Sequence, residues 1–168
     1  MTEGMDEQRT GKQVNAETSA EGRATFSVTA TLRLWQARYE YLLDSAKQLR
    51  ADGHHAAAIV TAQSACEACM ELVLTEAVRG RVGDAAIANF ITDSLHNYNP
   101  INGRVLKLYK LLFGHSLQEN QPFWSDFNDY VERRNKIVHH GHLATAEGAD
   151  KSIATVEKVI DHLLQNRP

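Results

Sequence analysis

A stripe of apolar side chains at helical spacing, Ile59, Ala62, Cys66, Cys69, Met70, Val73 and Ala77, runs through His54 to Val78 and commits that part of the chain to a long helix with a core-facing side. Immediately before it, Leu34, Tyr39, Leu42, Leu43, Ala46 and Leu49 repeat the same period, and Ala51-Asp52-Gly53 supplies the stop. A turn this short between two long helices predicts an antiparallel hairpin. Gly80, Gly83 and Asp84 mark the next connection, followed by a shorter helix over Ala85 to Leu95 and the breaker Asn97-Tyr98-Asn99-Pro100. A further helix is expected over Ile101 to Phe113.

Pro122 suits the first turn of a helix, where its missing N–H is not needed, so Phe123 or Trp124 should open the next one. Phe127, Tyr130, Val131, Ile137 and Val138 continue its apolar stripe, and Gly141 can end it in a left-handed conformation. A last helix is expected over Gly148 to Gln165, carrying Ile153, Val156, Ile160, Leu163 and Leu164. There is no internal repeat and no strand pattern. The reading is all-α.

With 168 residues and 43% hydrophobic content, the chain can bury one core and is short for two. Residues 1–28 lack the hydrophobicity for a packed element and read as a flexible N-terminal arm, leaving residues 29–168 as the domain. The net charge of −3 gives no global attraction to nucleic acid or an anionic membrane, so a phosphate-binding surface must be local. The opening segment lacks the apolar run of a secretory signal, and no later segment reads as membrane-spanning. Two cysteines in an apolar helix fit a reducing compartment. The expected setting is cytoplasmic, with no membrane partner.

One helix breaks the binary pattern. Arg134 falls on the stripe between Tyr130, Val131 and Ile137, Val138, where an apolar residue is the default. A guanidinium there either snorkels outward or needs a carboxylate or a phosphate, because an unpaired buried charge is very costly. An internal structural ion pair is the plain alternative. Asn135 and His139 are four residues apart on one face, so the amide can orient the imidazole or help hold a ligand. Arg134 and His139 are five apart, an offset of about 140° on an ideal helix, and converge only if Arg134 bends around or the helix loosens before Gly141. Imidazole moves protons near neutrality, and guanidinium stabilises charge developing on a phosphoryl group.

Arg134-Asn135-Lys136-Ile137-Val138-His139 resembles the Arg-x4-6-His signature of the HEPN (higher eukaryotes and prokaryotes nucleotide-binding) superfamily. Phe123-Trp124 opening this helix, His139-His140-Gly141 closing it, and Ala62-Gln63-Ser64-Ala65-Cys66-Glu67 upstream extend the similarity over about residues 30 to 165. The resemblance implies an up-and-down bundle of four to five helices, commonly a homodimer with two Arg/His pairs on one cleft. It also implies a metal-independent endoribonuclease of toxin or defence type, leaving 2′,3′-cyclic phosphate and 5′-hydroxyl ends, with no cofactor.

In that mapping Arg134 and His139 are catalytic, Asn135 positions one of them, and Glu67 pairs with Arg134 across the bundle. Arg133, Lys136 and His140 form an RNA-binding rim. RNA is the substrate, and an antitoxin or a neighbouring regulatory protein is a further partner. Some toxin members carry a tyrosine two residues after the motif histidine, where a partner modifies them; here that position is Gly141. Members that have lost catalysis act as binding or dimerisation modules, which is the alternative reading.

Other motifs read more plainly. Cys66-Glu67-Ala68-Cys69 has redox or zinc spacing but lies within a helix with no second cysteine pair, so two core residues are expected. His139, His140 and His142 lack a suitably spaced carboxylate for a metal. His54-His55 read as an exposed helix start. Trp124, Phe127 and Tyr130 are expected in the core rather than stacking bases. Arg104, Lys107 and Lys110 are read either as a solvated face or as a rim shared with Arg133 and Lys136.

Overall fold

The computed structural model describes residues 38–120 and 123–167, and the expected N-terminal arm lies outside them. Six α-helices, rather than four or five, make up the described chain: α1 (helical residues 38–51), α2 (His55–Arg81), α3 (Ala85–Asp93), α4 (Gly103–Phe113), α5 (Phe123–His140) and α6 (Ala146–Gln165). A short 3-10 turn, Leu117–Glu119, precedes α5, and no strand occurs among the described residues. The count of four to five comes from the family resemblance; the residue pattern itself predicts α3 and α4, where Gly83-Asp84 and the Asn97–Pro100 breaker cut the middle of the chain. Asp84 accepts from the N–H groups of Ala86 and Ile87, and Asn102 from that of Arg104, so each short helix has its own N-cap.

The α1–α2 hairpin forms as the stop signal requires. Gly53 takes φ +82°, the left-handed conformation that closes α1, with Gly53 N–H donating to Arg50 O and His54 N–H to Leu49 O. Arg38 pairs with Glu71 at one end of this hairpin. At the other, Arg50 grips Asp150 near the start of α6 with two hydrogen bonds of 2.5 and 2.6 Å. The last helix thus runs antiparallel to α1 and parallel to α2, whose Glu76 pairs with Arg167 just past the end of α6. Helix α5 runs antiparallel to α6, tied by Arg133 to Ser152 and by Asp126 to Lys158.

Helix α2 is the core of the molecule. By backbone proximity it packs against α3, α4, α5 and, most extensively, α6, and its buried residues lie around much of its circumference. An apolar helix on most sides must be covered on most sides. By length and composition α2 is also long and apolar enough to cross a membrane, contrary to the expectation that no segment was; 67% of its most apolar stretch is buried inside the bundle, as a core helix requires. Trp124, Phe127 and Tyr130 of α5 are all buried, and the Tyr130 hydroxyl donates to Ile59 O of α2 at 3.1 Å. That bond satisfies the one polar group the phenol brings into the core and fixes the height of α5 against α2.

Candidate functional site

Helix α5 carries the candidate residues on three of its faces. From Tyr130 the buried stripe continues one turn to Arg134, which is half-buried, and the helix then runs as regular α-helix to His140. Gly141 closes it at φ +65° with its N–H on Ile137 O. The helix therefore does not loosen before its end, and the angular offset between Arg134 and His139 persists. His139 and His140 are exposed, while Arg134 turns toward the core.

The guanidinium of Arg134 donates from Nη1 to the Asn135 side-chain oxygen at 3.2 Å. Its Nε–H is buried and meets no acceptor, and among the described residues no carboxylate forms an ion pair with it. The expected Glu67 partner is engaged elsewhere: Glu67 Oε1 accepts from Gln63 Nε2 at 2.9 Å, one turn away on α2. An i,i+4 amide beside Glu67 reaches it at little entropic cost, whereas Arg134 would have to cross between helices. Among the described residues the internal ion pair is absent. Asn135 likewise bonds Arg134 rather than His139, so it orients the guanidinium and not the imidazole.

Around Arg134 the field is mixed. Burial raises the Tyr130 hydroxyl well above its ordinary range; Glu67 adds to that effect, while Arg134 and Arg133 oppose it. Those directions place Arg134 and Glu67 in one electrostatic neighbourhood around the phenol without a contact between them. Gln63 Oε1, on α2, is buried and without a donor. One unpaired donor on α5 and one unpaired acceptor on α2 are what a satisfied core avoids.

The proposed rim divides. Arg133 is half-buried and donates to Ser152 Oγ at 2.9 Å, with its chain against Gly148, so it clamps α5 to α6 and is not available as a rim residue in this arrangement. Lys136 is exposed and paired with Glu132 at 2.6 Å, and His140 is exposed with its ring 6.3 Å from that of His142. Arg104, Lys107 and Lys110 are exposed on α4, whose last turn receives Arg81 from the far end of α2 at Leu112 O. They sit at the opposite end of the bundle from His139, so no shared rim with Lys136 forms.

Cys66 and Cys69 are buried free thiols on α2. Burial pushes the Cys66 thiol well up and that of Cys69 to about 12, the behaviour of inert core residues. Among the described residues no three His, Cys, Asp or Glu side chains converge as a metal would need.

The feature least legible in the sequence is at the end of the bundle where α5 stops. His54, His55, Ala56 and Ala57 at the start of α2 face His142, Leu143 and Ala144 of the α5–α6 loop across a cleft of about 350 Å³. These segments are almost ninety residues apart in the chain, and no local periodicity signals their meeting. Comparison with known proteins gives no relative: no protein-family model, no curated protein and no solved structure matches this chain.

Proposed function

We propose that this protein is a HEPN-type, metal-independent endoribonuclease that cleaves RNA through Arg134 and His139. The observation that carries the reading is a half-buried guanidinium with no carboxylate partner among the described residues, its Nε–H unaccepted, little more than one turn before an exposed imidazole at a helix end. A cation kept on an apolar stripe without an internal anion is suited to an external one, and a phosphoryl oxygen offers the charge and the acceptor geometry.

In the reaction, His139 takes the proton of a ribose 2′-hydroxyl as its oxygen attacks phosphorus. Arg134 stabilises the added charge on the pentavalent phosphorane. The P–O5′ bond then breaks, and the 5′ oxygen leaves with a proton from a second imidazole, leaving a 2′,3′-cyclic phosphate and a 5′-hydroxyl. Because Arg134 and His139 face apart on one helix, the reading includes a homodimer in which His139 of the partner subunit completes the site. A cytoplasmic toxin or defence role, restrained by an antitoxin or neighbouring regulator, belongs to the same proposal.

The second reading is a catalytically silent HEPN-type binding or dimerisation module. It is favoured by Val138, 44% exposed, and Leu143, 97% exposed, two apolar side chains flanking the histidines and suited to a protein surface. The experiment that separates them incubates wild type, Arg134→Ala and His139→Ala with mixed RNA in EDTA and identifies the new ends. Cleavage by wild type alone, leaving cyclic phosphates, supports the nuclease; indistinguishable behaviour of all three proteins overturns it.

A further inference from the structure

Helix α3 has an apolar face that the described residues leave uncovered. Ile87 is 54% exposed and Phe90 74%, three positions apart on one side of the helix, with the exposed Ala86 beside them. Ala88 and Thr92 on its inner side are buried, and of helices α2 to α6 only α2 lies against α3. A single exposed apolar side chain is ordinary on a protein surface, but two large ones sharing a face mark a surface that is covered.

What reaches this face follows from the order of contacts along α2. Glu71, Thr75 and Arg79 lie one turn apart on one side of that helix. Glu71 pairs with Arg38, the first described residue of α1. The Thr75 side chain lies beside the hydroxyl of Tyr98, which donates to Thr92 O near the end of α3 at 2.9 Å. Arg79 donates to Asn89 Oδ1 in the middle of α3 at 3.2 Å. Helices α3 and α1 therefore follow one another along α2, both antiparallel to it, with the end of α3 toward Arg38. From Glu71 to Arg79 is about 12 Å of helix, and the axis of α1 continued backwards from Arg38 leads over α3.

The sequence just before Arg38 fits that face. Residues 32–35 are Leu32, Arg33, Leu34 and Trp35. Trp35 precedes Arg38 by three positions and Leu32 by six, spans of at most about 11 and 22 Å, so this stretch reaches Ile87 and Phe90. Its one cation also finds a counter-charge: Asp93, at the end of α3, is exposed and in no ion pair among the described residues. A second copy of the chain suits the face less well, because two large side chains fall far short of the area of about 800 Å² that each partner buries in a stable interface.

We propose that the chain's own segment Leu32-Arg33-Leu34-Trp35 packs across α3, setting its apolar side chains on Ile87 and Phe90 and Arg33 beside Asp93. The face is thereby closed within one molecule. This holds whether or not the protein cleaves RNA.

The test uses the full chain labelled with 5-fluorotryptophan. The chain has two tryptophans, Trp35 and the buried Trp124, so fluorine NMR gives two signals, which Trp35→Phe assigns. Accessibility is read from the broadening caused by a soluble gadolinium chelate, with Trp124 as the internal report on folding. Thermal unfolding is measured for Trp35→Ala, Phe90→Ala and the two combined; Phe90 is exposed among the described residues, so its truncation leaves the bundle core intact.

The Trp35 signal is expected to broaden severalfold less than free 5-fluorotryptophan in the wild type and to lose that protection in Phe90→Ala. Each single variant should melt about 3 °C lower, and the double variant by about the same amount, because either truncation removes the same contact. Full accessibility of Trp35 in the wild type, an unchanged melting temperature in Phe90→Ala, or losses that add in the double variant would overturn the proposal. Protection of Trp35 that fades on dilution would overturn it in favour of a second copy on this face.

Discussion

Arg134 donates its hydrogen bond to Asn135, the next residue in the chain, and not to Glu67 on the facing helix. This has a direct energetic consequence. Removing one member of a buried ion pair typically costs 3–5 kcal/mol, because the abandoned charge remains. Removing a charge with no such partner abandons nothing.

Arg134→Met, which keeps the length and apolar stem, is therefore expected to unfold within about 1 kcal/mol of wild type in urea. RNA cleavage should disappear in the same variant. A large loss of stability would show that Arg134 is held by an internal anion after all.

Arg133 and Lys136, neighbours of the motif, should part company. Ser152 is fully buried, accepts from Arg133, and donates its own hydroxyl to Gly148 O at 2.7 Å, so Arg133 serves the α5–α6 joint. Arg133→Ala is expected to lower unfolding stability by about 1–2 kcal/mol. Lys136 makes only an exposed pair with Glu132, so Lys136→Ala should leave stability near wild type while weakening RNA binding and lowering the salt slope by about 0.7. Chemical denaturation and binding titrations read the two effects independently.

Stability should decline in mild acid through His162. Burial first, and then His115, lowers its pKa from the ordinary 6.5. Its Nε2 lies 3.4 Å from the amide nitrogen of Asn120 and 3.5 Å from that of Asn166, and its ring packs on Phe123, so the folded state favours the neutral form. As pH falls below 6.5 the unfolded chain takes up this proton before the folded one does, and folding loses stability until the folded pKa is passed. His162→Gln should flatten that part of a plot of unfolding free energy against pH. A slope identical to wild type would assign the acid sensitivity to other groups.

The two cysteines should be silent while the protein is folded. With both thiols buried on α2 and their pKa values raised by that burial, native protein is expected to react with a disulfide reagent near pH 8 only as fast as it opens. Guanidinium-unfolded protein should react at both positions at once. Rapid labelling of the native form would mean that the Cys66–Cys69 turn of α2 is accessible.

Most of the helices were legible because helix formation leaves a local record. The apolar stripe of α2, the left-handed stop at Gly53, the proline before Phe123 and the glycine at 141 each act within a few residues. Trp124, Phe127 and Tyr130 announced their burial by the same period, and the anomaly of Arg134 stood out against it. The sequence by itself thus determined an all-helical chain, where its turns fall, and that one cation sits where a core residue belongs.

Tertiary structure alone decided what that cation touches. Glu67 was taken by Gln63 because an i,i+4 partner on the same helix is nearer than one across an interface. Arg133 was drawn to Ser152 because α6 packs back along α5. The histidines at 54 and 55 share a cleft with His142 because α5 runs antiparallel to α2 and ends beside its start. The last two depend on the relative placement of whole helices, which is set by the fit of their buried faces, and no short-range pattern encodes it.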